Sequence, residues 1–247
     1  MKNLMPIIFI VLLTNFCLSQ TQNMLSSNIY ENVYQIQTDT LSGTCFLIDK
    51  EGEEYIVTAK HLFKTGLRNG DSTRIKLYQN ESTHEFSAKY FISSNKRIDI
   101  GVLKISKELK RLNPYPPVRK IIVGQDMYFL GYPNFNNIQF KTFTNNLGPL
   151  PLVKKATFSG GITKGDYSIF FLDGHNNPGF SGGPVITYDT SLSKNTIVGV
   201  ISGYYYEPKQ VENRERQKIE AYVLENSGII KCFPISLAFD ILDENIK

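Results

Sequence analysis

Three side chains able to carry acyl transfer lie far apart along this chain. Ser181 sits in Gly179-Phe180-Ser181-Gly182-Gly183-Pro184, where glycines let the backbone bend tightly and turn N–H groups toward one point. An exposed hydroxyl with donors beside it supplies a nucleophile and a place for a developing oxyanion. A serine hydroxyl is a weak nucleophile without a base. Upstream, Tyr55-Ile56-Val57-Thr58-Ala59-Lys60-His61 reads as a strand running into a histidine, the expected base. Asp99 enters the apolar run Ile100-Gly101-Val102-Leu103, where a carboxylate could orient and charge-stabilise that imidazole. Taken singly, each residue has an ordinary reading. A histidine ends many strands, an aspartate caps many turns, and Gly-rich turns carry structural serines.

In the order His61, Asp99, Ser181, these segments resemble the chymotrypsin-like (trypsin-fold) serine proteases. The likeness is greatest to the bacterial branch of HtrA/Deg-type proteases and glutamyl endopeptidases. Further matching pieces are Gly43-Thr44-Cys45-Phe46-Leu47-Ile48, Val123-Gly124-Gln125-Asp126, Gly131-Tyr132-Pro133 and Val198-Gly199-Val200-Ile201-Ser202. The resemblance implies an all-β fold of two six-stranded antiparallel β-barrels and a His61–Asp99–Ser181 triad. It also implies an oxyanion hole from the N–H groups of Gly179 and Ser181, and an extended polypeptide substrate paired with the backbone at Ser202. Two departures stand out. Phe180 occupies the place where trypsin has an aspartate, and no Ile-Val-Gly-Gly start is present, so activation by that ion pair is not expected. The catalytic domain is expected to take up the chain after the leader, with no PDZ domain expected within it.

The elements that must position these residues are short and β-rich. Val33–Gln37, Thr44–Ile48, Tyr55–Thr58, Arg74–Tyr78 and Phe86–Ile92 alternate or run apolar, separated by Gly, Asn and Asp. After them come Asp126–Leu130, Lys155–Phe158, Tyr167–Leu172, Pro184–Thr187, Thr196–Ile201 and Ile229–Phe233. Such spacing argues for a barrel or sandwich. The expected organisation is a signal peptide over 1–19, an N-terminal barrel over 20–111 with His61 and Asp99, a linker over 112–120 and a C-terminal barrel over 121–247 with Ser181. A terminal helix over Ile235–Ile246, apolar at Leu237, Phe239, Ile241 and Leu242, is expected to pack on the second barrel. Two inserts stand out: Thr142–Leu152, and the charged, tyrosine-bearing Tyr204–Gly228.

The N-terminus reads as an address. Lys2 precedes the apolar run Leu4–Leu13, too short for a comfortable membrane span, and Cys17-Leu18-Ser19 suits cleavage before Gln20. A lipoprotein anchored through Cys17 is disfavoured by the bulky Phe16, so a secreted or periplasmic protein without later membrane insertion is expected. Cleavage leaves Cys45 and Cys232, which read as free buried thiols, and their pairing stays open. The three histidines, His61, His84 and His175, show no metal-ligand spacing, so neither metal nor cofactor is expected. A net charge of +4, with its densest cluster at Asn213–Lys218 interleaved with acids, argues against nucleic-acid binding. Oligomeric state is left open.

Three functions fit the constellation to different degrees. An exported serine endopeptidase uses every element. A protease-fold binding module without turnover would have no need of the triad. An α/β-hydrolase esterase needs helices between strands and the histidine after the serine, and the sequence has neither. For specificity, His175 falls at the base of the primary pocket by the resemblance, with Ser202, Gly203 and Tyr204 along its wall. A neutral histidine cannot compensate a buried Arg or Lys. Glutamyl endopeptidases carry a histidine where this chain has Ile201. Cleavage after small or medium apolar residues such as Ala or Val is therefore expected, with acidic residues an alternative if His175 is protonated.

Overall fold

The structure is a computed structural model describing residues 25, 29, 31–79, 82–107, 109, 121–133, 144–145, 148–189 and 191–246. The expected leader over 1–19, with Cys17, and the linker over 112–120 lie outside the described residues. Within the Asn-rich insert, Thr144–Asn145 pairs with Gly148–Pro149.

The first barrel comprises β1 (Val33–Gln37), β2 (Ser42–Lys50), β3 (Glu53–Thr58), β4 (Ser72–Gln79), β5 (Ser82–Ile92) and β6 (Gly101–Ile105). Its order is β1-β2-β3-β6-β5-β4, and β4 closes back on β1. The second comprises β7 (Asp126–Gly131), β8 (Leu152–Lys164), β9 (Tyr167–Asp173), β10 (Pro184–Asp189), β11 (Lys194–Glu212) and β12 (Lys218–Pro234). Its order is β8-β9-β12-β11-β10-β7, closed by β7 on β8. The all-β, chymotrypsin-like double barrel expected from the sequence is the fold observed.

Near-continuous apolar runs arise because the inner strands are buried on both faces. Cys45, Leu47, Ile56 and Leu103 fill the first barrel. Their neighbours Phe46, Ile48, Val57 and Val102 point the other way, into a cluster shared with Leu130, Ile186, Val200 and Phe233 of the second barrel. The period of two thus distributes one run between a barrel interior and the contact between barrels. Met127, Phe129, Phe170, Phe180 and Cys232 fill the second barrel. At the β2–β3 hairpin, Glu51 and Gly52 both take positive φ, 55° and 87°, as a two-residue turn with matching twist requires.

Two features depart from expectation. The helix α1 (Ser236–Asn245) does not rest on the second barrel alone; it crosses back onto the first. Leu237, Ala238, Ile241 and Leu242 join the cluster holding Phe91, Ile98 and Ile100. An ion pair from Lys50 to Asp243 and a hydrogen bond from Asn69 to Asn245 fasten the helix there. The apolar spacing gave the helix but not the surface it covers. The Tyr204–Gly228 insert, in turn, is largely strand, beyond the expected strand ends at Ile201 and Ile229. β11 and β12 run on past the barrel as a two-stranded ribbon, pairing Tyr206 with Asn226 and Gln210 with Tyr222. Its turn is ordered by Asn213, whose side-chain oxygen accepts from the N–H groups of Glu215 and Gln217. No helix of the described residues is long and apolar enough to cross a membrane.

Candidate active site

Each candidate sits at an element's end, beside the contact between barrels. His61 lies in a 3₁₀ turn, Lys60–Leu62, directly after β3. Asp99 immediately precedes the buried Ile100 and β6, and Ser181 lies in the turn before β10. The pairing of β3 with β6, Thr58 opposite Gly101, brings the first two together. His61 Nδ1 lies 2.8 Å from Asp99 Oδ2, and the His61 N–H donates to Asp99 Oδ1 at 2.9 Å. The aspartate therefore fixes both ring and backbone of the histidine.

Ser202 adds a contact that sequence reasoning missed. Its hydroxyl donates to Asp99 Oδ2 at 2.6 Å. Burial pushes the Asp99 carboxyl up, but hydrogen bonds from the His61 ring, Ser202 and the His61 N–H outweigh it and hold it below its ordinary value. The side chain of Asp99 is 16% exposed against 40% for His61, so the carboxylate is covered while the imidazole faces the cleft.

The serine turn is sewn to the same strand. Gly182 N–H donates to Ile201 C=O at 2.8 Å, and Ile201 N–H to Gly183 C=O at 2.9 Å, one residue before Ser202. From the first barrel, Thr44 holds the turn on both sides. Its N–H donates to Ser181 C=O at 2.9 Å and its hydroxyl to Gly179 C=O at 2.7 Å. Gly182 has φ of 84°, and a Cβ there would lie 2.2 Å from both Thr44 O and Thr58 Oγ1. Only glycine permits so close an approach to the strand leading into His61.

Ser181 is half-exposed between the buried Phe180 and Gly182. Among the described residues no hydrogen bond joins its hydroxyl to His61; such bonds often tighten only when substrate arrives. The N–H groups of Gly179, where φ is 100°, and Ser181 likewise donate to no group among the described residues. Both donors are available to a ligand oxygen.

The specificity candidates occupy different surroundings. The His175 side chain is exposed, and its carbonyl accepts from Lys154 Nζ at 2.6 Å. Gly203 has open space where a Cβ would stand. Tyr204 is half-buried with its ring 4.8 Å from that of Tyr206. Beneath the turn, Phe180 stacks edge-on against Phe129 at 5.3 Å. Cys45 and Cys232 are free and fully buried in separate barrels, and burial raises both thiol pKa values, which leaves them poor nucleophiles. Among the described residues no group of His, Cys, Asp and Glu is placed to hold a metal.

The trypsin-like peptidase domain matches residues 43–200, more than half of the chain. The chain belongs to that family and is a serine protease with the chymotrypsin fold. None of the curated proteins matches it. Among solved structures, the active form of the Rv3671c protease from M. tuberculosis aligns with a TM-score of 0.56 at 16% identity, covering 88% of this chain and 82% of that one. The HtrA-type protease AlgW, solved with a tripeptide, gives 0.55 at 19% identity over 90% of this chain and 62% of its own. The MamO protease domain from Magnetospirillum magneticum gives 0.50 at 13% identity, over 87% and 97%. At these identities the likeness is one of fold.

Proposed function

We propose that this protein is an exported serine endopeptidase that cleaves through a His61–Asp99–Ser181 triad and an acyl-enzyme. The observation that carries the reading is the Asp99 carboxylate, which bonds His61 on one side and Ser202 on the other. Ser202 follows the residue that ties down the Ser181 turn. With Nδ1 held by Asp99, His61 presents Nε2 as the base that takes the Ser181 proton and returns it to the leaving amine. The free N–H groups of Gly179 and Ser181 then receive the oxyanion; one such donor is worth about 2.7–4 kcal/mol of barrier. An extended substrate adds to the backbone at Ser202 and Gly203, which β12 engages only through an irregular register.

The proposed preference is for small or medium apolar residues before the scissile bond, since no carboxylate stands at His175 to compensate a buried cation. Export follows from the leader, with the mature protein beginning near Gln20. Labelling by a fluorophosphonate probe tests the central claim. The wild-type protein is expected to be labelled and to cleave a peptide library, and Ser181→Ala to do neither while keeping its circular dichroism. His61→Ala should lose nearly as much, and the two losses should not add, because the triad acts as a unit. An unlabelled, inactive wild type would favour a binding module that kept the fold.

A further inference from the structure

Residues 174–181 carry both candidate oxyanion donors, and few bonds hold the segment. At its start Gly174 N–H donates to Gly228 C=O at 2.8 Å, and Asn226 Nδ2 to Asn176 C=O at 2.7 Å. At its end Thr44 holds Gly179 and Ser181. Between these lies Asn177-Pro178-Gly179-Phe180, a tight turn closed by Phe180 N–H to Asn177 C=O at 3.3 Å. Gly179 can take either hand of backbone conformation. The direction of the Gly179 N–H follows the Pro178–Gly179 peptide plane, which is carried at its two ends by Asn177 and Phe180. The turn needs something that fixes its first residue.

Lys154 meets that need. It lies on β8 opposite Phe129, the residue against which Phe180 stacks. Its Nζ donates to His175 C=O at 2.6 Å and to Asn177 Oδ1, and stands 5.3 Å from the centre of the Phe180 ring. One ammonium thus touches residues 175, 177 and 180. Among the described residues it is the only charged side chain bonded to this segment. Two hydrogen bonds to a cation, with a ring face beneath it, resist displacement more than neutral contacts do.

We infer that Lys154 is a positioning residue: its ammonium anchors Asn177 and Phe180 so that the Gly179 N–H stays turned toward the oxyanion. The inference rests on Ser181 as the nucleophile. The Lys154→Met variant keeps most of the apolar stem and removes the cation. Its kcat is expected to fall about 10- to 100-fold, the scale of a small misplacement at a reacting centre, with KM little changed. Affinity for a peptide aldehyde, whose adduct needs the oxyanion donors, should fall by a similar factor. Lys154→Arg should recover most of both. A loss confined to KM, unchanged aldehyde affinity, or no rescue by Lys154→Arg beyond Lys154→Met would overturn the role.

Amide hydrogen exchange over residues 174–181 reads the anchor without reference to turnover, and is done in the Ser181→Ala background. Faster exchange there in Lys154→Met, with the rest of the second barrel unchanged, is the expected result. Equal exchange would overturn the anchor. If the wild type fails to react with fluorophosphonate while the exchange difference appears, the protease reading falls and the anchor stands.

Discussion

Asp99 gathers three hydrogen bonds onto one carboxyl, and the acid side of the protein's pH range depends on them. Its ordinary pKa is 3.8, and the folded value lies below this. A depressed carboxylate contributes stability in full above the unfolded pKa and loses it as pH falls through the folded one. Ser202→Ala removes one support, so the folded pKa rises toward 3.8, the carboxylate contributes less stability, and that contribution is gone by a higher pH. Removing a hydrogen bond to a charged group costs about 1.5–3 kcal/mol. The expected outcome is an acid-unfolding midpoint shifted upward and, on the triad reading, kcat/KM down by about tenfold, which corresponds to about 1.4 kcal/mol of barrier. An unmoved midpoint would remove Ser202 from the carboxylate's support. The positions of His61, Asp99 and Ser181 at element ends were legible in the sequence because local strings carry them: a strand before the first, an apolar strand after the second, and glycines around the third. The Ser202 hydroxyl, Thr44 and Lys154 were not. Their partners sit on other strands, and which side chains meet is decided by register rather than by neighbours in sequence.

At the scale of elements, the inner strands could be read because burial on both faces writes an apolar run. The outer half of β11 and β12 has no buried face, so no period of two marks it. Glu207 through Glu225 reads as a charged insert, yet it pairs as strand. Tyr206, Tyr222 and Leu224 are exposed on it at 57%, 66% and 64%, and none belongs to a core cluster. The ribbon therefore adds little to the stability of the barrel below it. Excising Glu207–Glu225 and joining Tyr206 to Asn226 through Asn-Gly should leave Tm within about 3 °C, less than 1 kcal/mol at this chain length. Asn226 must stay, because it holds Asn176. A Tm loss beyond 10 °C would show that the ribbon supports the barrel.

The whole molecule is held by the cluster that both barrels share with α1. Leu242 is fully buried there, so Leu242→Ala is expected to cost about 3 kcal/mol, within the range for large-to-small core changes. Thermal unfolding should record a Tm lower by about 6–12 °C. A change below 1 °C would mean that the helix rests on the first barrel without stabilising it. The destination of this helix escaped the sequence because amphipathic spacing tells which face is covered and not by what. Its return to the first barrel sets a timetable for synthesis. β6 ends at Ile105 and α1 begins at Ser236, so the strands of the first barrel are complete long before the helix that covers Phe91, Ile98 and Ile100 exists. At roughly 5–20 residues per second, that interval lasts on the order of ten seconds. Throughout it the nascent chain carries an uncovered apolar face, the surface that a holding chaperone would shield until the last turns of the protein arrive.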